Sequence, residues 1–285
     1  MSVRQFAHSI GLICRAENAN RGVALMRHIT WQGRKLLFPT PVSLKLSRSV
    51  ITDDEPGGVI SMVNMLGLYD YNNMHFVQTV LTPAPHNPPP VFFDVGANIG
   101  AYTLVASEIG QAAIVSLEPV PAAFAKLQRN VRLNGRDHVV MLPVAAGREP
   151  GQLRMICDGA SVLNRVAPDG EPADRTIVVA VETLDAIGHG LALAPTVIKI
   201  DVEGHEPNVL AGATQTLSAC HACLVENGDR PEIVSIMQQN RMAGPFYYQH
   251  RTATLQIARQ ALPEDQIFIS PSFARAFPSI TIETA

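Results

Sequence analysis

Charge is scarce in this 285-residue sequence, at 16% of residues, and acids and bases nearly cancel to a formal charge of -3. No long basic run is present, so the electrostatics do not ask for a nucleic-acid partner. Long hydrophobic runs are also lacking. Apolar stretches such as residues 186–198 are too short for a bilayer span, and Gly188, His189, Gly190 and Pro195 interrupt that one. No membrane span is expected. The first 21 residues carry an apolar patch broken by Gln5, His8 and Ser9, a poor signal-peptide core that reads better as a surface or docking helix.

Cysteine is sparse too. Cys14, Cys157, Cys220 and Cys223 are scattered, which suits reduced thiols and a cytoplasmic setting rather than a disulfide framework. Cys220 and Cys223 have CxxC spacing, but no second ligand pair follows at zinc-site spacing, so buried structural thiols are expected.

What the chain does have is a 47% hydrophobic composition, enough for one sizeable core. After Pro88-Pro89-Pro90, apolar strands and amphipathic helices alternate. Strands are predicted at 91–95, 112–117, 139–145, 196–200 and 222–225. Helices are predicted at 99–109, at a segment carrying Phe124, Leu127 and Val131, at about 206–217, and at a segment carrying Ile233, Ile236 and Met237. Strand candidates at 246–250 and 266–269 follow. Such alternation demands right-handed crossovers and a doubly wound, mostly parallel α/β sheet. Residues 147–185 interrupt the rhythm as a hairpin-like excursion, with strands at 152–156 and 176–181 around a Gly, Pro and Asp-rich loop. Residues 1–85 lie outside the alternation, although Val42, Leu44 and Leu46 alternate as in a half-buried strand. They are read as an N-terminal cap or added sheet on the substrate side of an 86–285 catalytic domain.

Ligands in such sheets bind beyond the carboxyl ends of the strands, so Asp94, Glu118, Asp201 and Glu226 should gather along one rim. The turn Gly96-Ala97-Asn98-Ile99-Gly100 lets the backbone bend and bring its N–H groups close to a nucleotide-like ligand. It lacks the GxGxxG spacing that seats a pyrophosphate, and Asp94 stands before it. A carboxylate there repels a pyrophosphate but attracts an ammonium or sulfonium, both of which S-adenosylmethionine carries. Glu118, ending the next strand, can accept hydrogen bonds from two ribose hydroxyls.

With these residues in place the chain resembles the FkbM family of S-adenosylmethionine-dependent methyltransferases, through FDVGANIGAYTL at 93–104, LEP at 117–119, TLD at 183–185 and IKIDVEGHEPNVLAGA at 198–213. The resemblance implies a class I, Rossmann-like methyltransferase fold, cofactor contacts at Asp94, Gly96, Asn98 and Glu118, and O-methylation of a sugar or natural-product hydroxyl.

Methyl transfer to oxygen needs alignment and a group to take the proton. Asp201 ends the fourth core strand and leads the candidates, followed by Glu203 and His205 on the loop. Glu206 is weighed as a helix N-terminal charge, Asp185 as a cap, and Ser161 as a turn residue. A less favoured mechanism places a divalent metal such as magnesium at Asp201, Glu226 and Asn227. The acceptor is a small molecule or glycan. The rival readings are a non-catalytic cofactor sensor or assembly subunit and a nicotinamide-dependent dehydrogenase.

Overall fold

The computed structural model describes residues 21–37, 41–55, 57–82, 88–156, 164–168, 170–257 and 265–283. Residues 1–20, with Cys14, and also Cys157 and Ser161, lie outside these. Among the described residues no helix is long and apolar enough to cross a membrane.

Five parallel strands form the centre of one large sheet: β3 (Val91–Val95), β4 (Ala113–Leu117), β5 (Val139–Leu142), β10 (Val197–Ile200) and β11 (Ala222–Val225). Their order is β5-β4-β3-β10-β11. The sheet continues through β14 (Gln266–Ile269), antiparallel to β11, then β12 (Ala243–Gln249), β13 (Thr254–Ile257) and β15 (Thr281–Ile282). The order reverses between β3 and β10, where a doubly wound sheet opens a crevice.

Both faces are covered, as the near-continuous apolar strands require. Phe92 packs on one face with Ile114, Val197 and Leu224, while Phe93 packs on the other with Val115, Ile198 and Val225. Both phenylalanines are fully buried, each contributing roughly 1.5–3 kcal/mol of apolar burial. Helices α4 (Ala101–Ser107), α5 (Pro121–Leu133) and α9 (Pro231–Gln239) supply the layers. In α5 and α9 a proline opens the first turn, where its missing N–H is not needed, and Leu127 with Val131, and Ile233 with Met237, form the buried stripe.

The expected helix at 206–217 is two short ones, α7 (Glu206–Ala211) and α8 (Thr214–Ala219). Its interruption has a steric cause. A Cβ on Gly212 would lie 2.0 Å from the Gly147 carbonyl oxygen, so the chain packs backbone against backbone there. Asp185 is the cap expected of it: its carboxylate accepts hydrogen bonds from the N–H of Gln215 and Thr216 and from the Thr216 hydroxyl. Thr183 caps α6 (Leu184–Leu191).

The expected strand at 139–145 ends at Leu142. The chain then joins a second sheet with β6 (Ala145–Ala146), β7 (Gly151–Ile156), β8 (Arg165–Val166) and β9 (Thr176–Glu182). The antiparallel β7–β9 pairing, from Gly151↔Val181 to Ile156↔Thr176, is the hairpin-like excursion. The strands β13 and β15 carry no strong period-two signal and were not expected.

Residues 21–82 contain α1 (Arg21–Leu37), the hairpin β1 (Val42–Leu46) and β2 (Ser49–Asp53), α2 (Gly58–Leu66) and α3 (Tyr71–Leu81). Leu46, Ile51, Ile60 and Phe76 belong to the same apolar cluster as Phe92 and Leu104, so this segment is welded to the sheet domain. Buried Glu108 fixes the join. It accepts hydrogen bonds from the Ser47 and Ser49 hydroxyls and the Arg48 N–H at 2.7–2.8 Å. Cys220 and Cys223 are buried free thiols, and burial pushes Cys220 up to about 12.

Candidate functional site

A cleft opens at the carboxyl ends of β3, β4 and β10. Its floor is the turn after β3, its flank Glu118 and Pro119 after β4, and its far side the loop from Asp201 to His205. Leu153 and Met155 of the excursion face it, and the N-terminal segment contributes Val59 and Tyr69. Every candidate cofactor and catalytic residue lies on this cleft except Gly100, which starts α4 just behind it.

The turn is held by its own backbone. Gly96 and Ala97 donate N–H bonds to the Leu117 carbonyl at 3.0 and 2.9 Å, and Gly96, Asn98 and Gly100 all have positive φ. At Gly96 the requirement is absolute, because a Cβ would sit 1.9 Å from the Asp201 carbonyl oxygen. Gly100 would meet the Leu127 side chain at 2.7 Å. Asn130, which the sequence reading passed over, clamps the turn from behind. Its amide donates to the Ile99 and Thr52 carbonyls at 2.8 and 3.1 Å, and its carbonyl accepts from the Thr52 N–H at 2.8 Å.

Glu118 is 6% exposed. One of its oxygens accepts the Asn98 N–H and the other the Val120 N–H, both at 2.9 Å. Each oxygen thus has one lone pair spoken for and one left for a ligand. Burial raises its pKa to about 7 against the pull of those two bonds.

Asp94 is fully buried. Its Oδ2 accepts the Thr103 hydroxyl at 2.6 Å, and that hydroxyl also meets Ser116 Oγ at 2.8 Å. Its Oδ1 is buried without a hydrogen-bond partner. Burial holds the Asp94 pKa above the usual carboxylate range, with Lys199 and Thr103 pulling the other way.

Lys199 is a second residue that sequence reasoning missed. It stands beside Asp94 in the β3–β10 register, its side chain is 4% exposed, and its Nζ lies 2.9 Å from Asp201 Oδ2. The available signal was a lysine within a four-residue parallel strand that is otherwise apolar. Burial opposes its charge, but Asp201, Asp94 and Asp265 more than offset this and raise its pKa. The Tyr102 ring lies 5.2 Å from Nζ, and the Tyr102 hydroxyl donates to Asp70 Oδ2 at 2.7 Å.

The transfer-side loop is braced by Glu206, whose buried carboxylate accepts the Val202 and Gly204 N–H groups and lies 3.6 Å from Arg230. Glu203 and Gly204 take positive φ to make the bend. His205 is half-buried, lies 3.2 Å from Asn208 Nδ2 through Nδ1, and burial lowers its pKa. Oxygens of Asp201, Glu203 and Glu226 come within 4.8 Å of one another. That is a donor set a hard divalent cation takes, with Glu203 where Asn227 was expected. Burial, then Asp201 and Glu203, push Glu226 up to about 8.

The methyltransferase FkbM domain family matches residues 94–254. The chain belongs to that family. It is therefore an S-adenosylmethionine-dependent methyltransferase, and the sheet is the class I methyltransferase architecture that the resemblance implied. Among curated proteins it is 25% identical over 182 residues to hexuronic acid methyltransferase AglP of Haloferax volcanii, covering 60% of this chain and 70% of that one. It is 27% identical over 158 residues to methyltransferase 1 of Beauveria bassiana, covering 48% and 64%. A crystal structure of methyltransferase FkbM from Methylobacillus flagellatus matches with a TM-score of 0.43 at 16% identity, covering 86% of this chain and 58% of that one. The chain thus spans less than two thirds of the length of the last two.

The Gly96 contact gives a direct test. Gly96→Ala forces a Cβ into the Asp201 carbonyl at an unfavourable φ, and is expected to cost more than about 3 kcal/mol in urea denaturation. A loss under 1 kcal/mol would show that the two loops do not touch.

Proposed function

We propose that this chain transfers the methyl group of S-adenosylmethionine to a hydroxyl oxygen of a sugar or a similar small polyol. The observation that carries the reading is the meeting of two differently equipped carboxylate groups across one cleft. Asp94 and Glu118 stand on the donor side and Asp201 on the other, with Gly96 and the Asp201 carbonyl in contact between them. The name of the Haloferax volcanii relative, a hexuronic acid methyltransferase, supports a sugar acceptor.

The residues present fit the donor. Asp94 Oδ1 is a buried acceptor without a partner on the cleft, suited to the cationic methionyl end directly or through water. Glu118 has lone pairs left for two ribose hydroxyls. Ala97 and the backbone of Gly96 and Asn98 form the adjoining wall. When bound, S-adenosylmethionine supplies a methyl group whose bond to positively charged sulfur breaks with the electron pair going to sulfur.

The chain's remaining task is to place an acceptor oxygen and take its proton. Alignment alone supplies as much as ~7–11 kcal/mol, and a placed base a further ~10²–10⁴-fold. Asp201, with 22% of its side chain exposed and one oxygen held by Lys199, is positioned to receive the hydroxyl proton. Glu203 and His205 line the same mouth as acceptor hydrogen-bonding groups. Val59 and Tyr69 make the N-terminal segment the acceptor-side wall.

Two measurements check the assignment. Glu118 must be ionised to accept two hydroxyls, and burial pushes its carboxyl up to about 7. The affinity for S-adenosylhomocysteine should therefore level off above pH 7 and weaken toward tenfold per unit below it. Glu118→Gln should bind more weakly and lose that dependence; a Glu118→Gln profile still parallel to wild type would remove Glu118 from the ribose. Asp201→Asn, assayed for methyl incorporation into a panel of glycosides and polyols, should lower kcat by about 10²-fold or more while changing S-adenosylhomocysteine affinity by less than fivefold. Equal losses in both would make Asp201 a donor ligand and not a base.

A further inference from the structure

Lys199 enters the assignments above only as the group that holds one Asp201 oxygen, yet it is the one buried lysine or arginine among the described residues. A lysine is expensive to bury, and an apolar residue would pack well in this strand between Ile198 and Ile200. Its stem runs along the sheet face that carries Asp94 and Ser116 in register, and its ammonium is fixed by Asp201 Oδ2 at 2.9 Å and by the Tyr102 ring. Tyr102 is in turn tied to Asp70, and Asn73 joins Asp70 to the Asp265 carbonyl. The ammonium thus has one place to be, between the carboxylate on the donor side and the carboxylate on the transfer side. Without it, Asp94 and Asp201 would both face the cleft with uncompensated negative charge.

Resting on the methyltransferase reading of this cleft, we propose that Lys199 is a charge-balancing positioning residue. Acting through Asp94 and Asp201, it cancels the negative charge that would otherwise hold the donor's sulfonium in place. The physical reason follows from differential binding. The sulfur's positive charge disappears as the methyl group leaves, so carboxylates that stabilise that charge tighten the ground state more than the transition state and oppose transfer. A cation fixed between the two carboxylates removes that penalty and lets the same carboxylates bind hydroxyls and an ammonium. It also orients Asp201 by occupying one of its two oxygens.

The test uses two ligands that differ in the sulfonium charge: S-adenosylmethionine, which has it, and S-adenosylhomocysteine, which does not. Calorimetric titration of both at pH 8 into wild type, Lys199→Arg, Lys199→Met and Lys199→Gln reads the ratio of their affinities, a quantity a merely structural role would not move. Both neutral variants should shift the ratio toward S-adenosylmethionine by about three- to tenfold, and Lys199→Arg should keep it within about twofold of wild type. Asp201→Asn, which removes one carboxylate while Asp94 still faces the lysine, should shift it the other way, and if neither neutral variant folds an unchanged ratio in Asp201→Asn overturns the inference. An unchanged ratio, or an equal loss of both ligands from folded protein, overturns the inference. Wild type binding neither ligand would instead remove the methyltransferase reading on which it rests.

Discussion

The Asp201 carbonyl occupies the space where any side chain on residue 96 would be, and with the Asp201 N–H donating to the Val95 carbonyl at 3.1 Å this backbone contact joins the two halves of the site. Strands β3 and β10 are neighbours in the sheet, so their carboxyl ends emerge together. The turn after one and the loop after the other must then pass within van der Waals distance. Glycine makes the approach possible on one side. Glu206, accepting two loop N–H groups from a buried position, fixes the other. The positions of Asp94, Glu118 and Asp201 relative to one another follow from this packing and not from contacts among their side chains.

The same economy of backbone contacts ties in the N-terminal segment. Asn130 holds the Ile99 carbonyl of the glycine turn and both backbone groups of Thr52, while Glu108 gathers Ser47, Arg48 and Ser49. These polar anchors lie within the apolar cluster shared by Ile51, Ile60 and Phe92. Tyr69 on the cleft and the Tyr102–Asp70 bond therefore belong to the site's framework, which is why the segment before the sheet bears on the chemistry behind it.

Legibility in the sequence followed the range of the interaction. The strands β3, β4, β10 and β11 are short runs between turn residues, apolar but for Asp94, Ser116 and Lys199, and their pattern and length located them within a residue or two. Gly96, Glu118 and Asp201 were legible because strand ends in a doubly wound sheet converge by topology. Lys199 was not, since its partners come from β3, the Asp201 loop and residue 265, and no local pattern announces such a meeting. Nor was the break between α7 and α8: Gly212 looks like a tolerated helix glycine until Gly147 arrives from the excursion 65 residues earlier in the chain. The β13–β15 edge was obscured for another reason. Its short strands are half exposed, and Ala253 at positive φ interrupts the pattern just before β13.

A crystal structure of the chain with S-adenosylhomocysteine tests the central claim most directly. The account predicts the ribose hydroxyls on the Glu118 carboxylate, the amino-acid end toward Asp94, and the sulfur facing the Asp201 loop across the Gly96 contact. A ligand seated elsewhere, or in this cleft with Glu118 touching only the backbone of Asn98 and Val120, would contradict it.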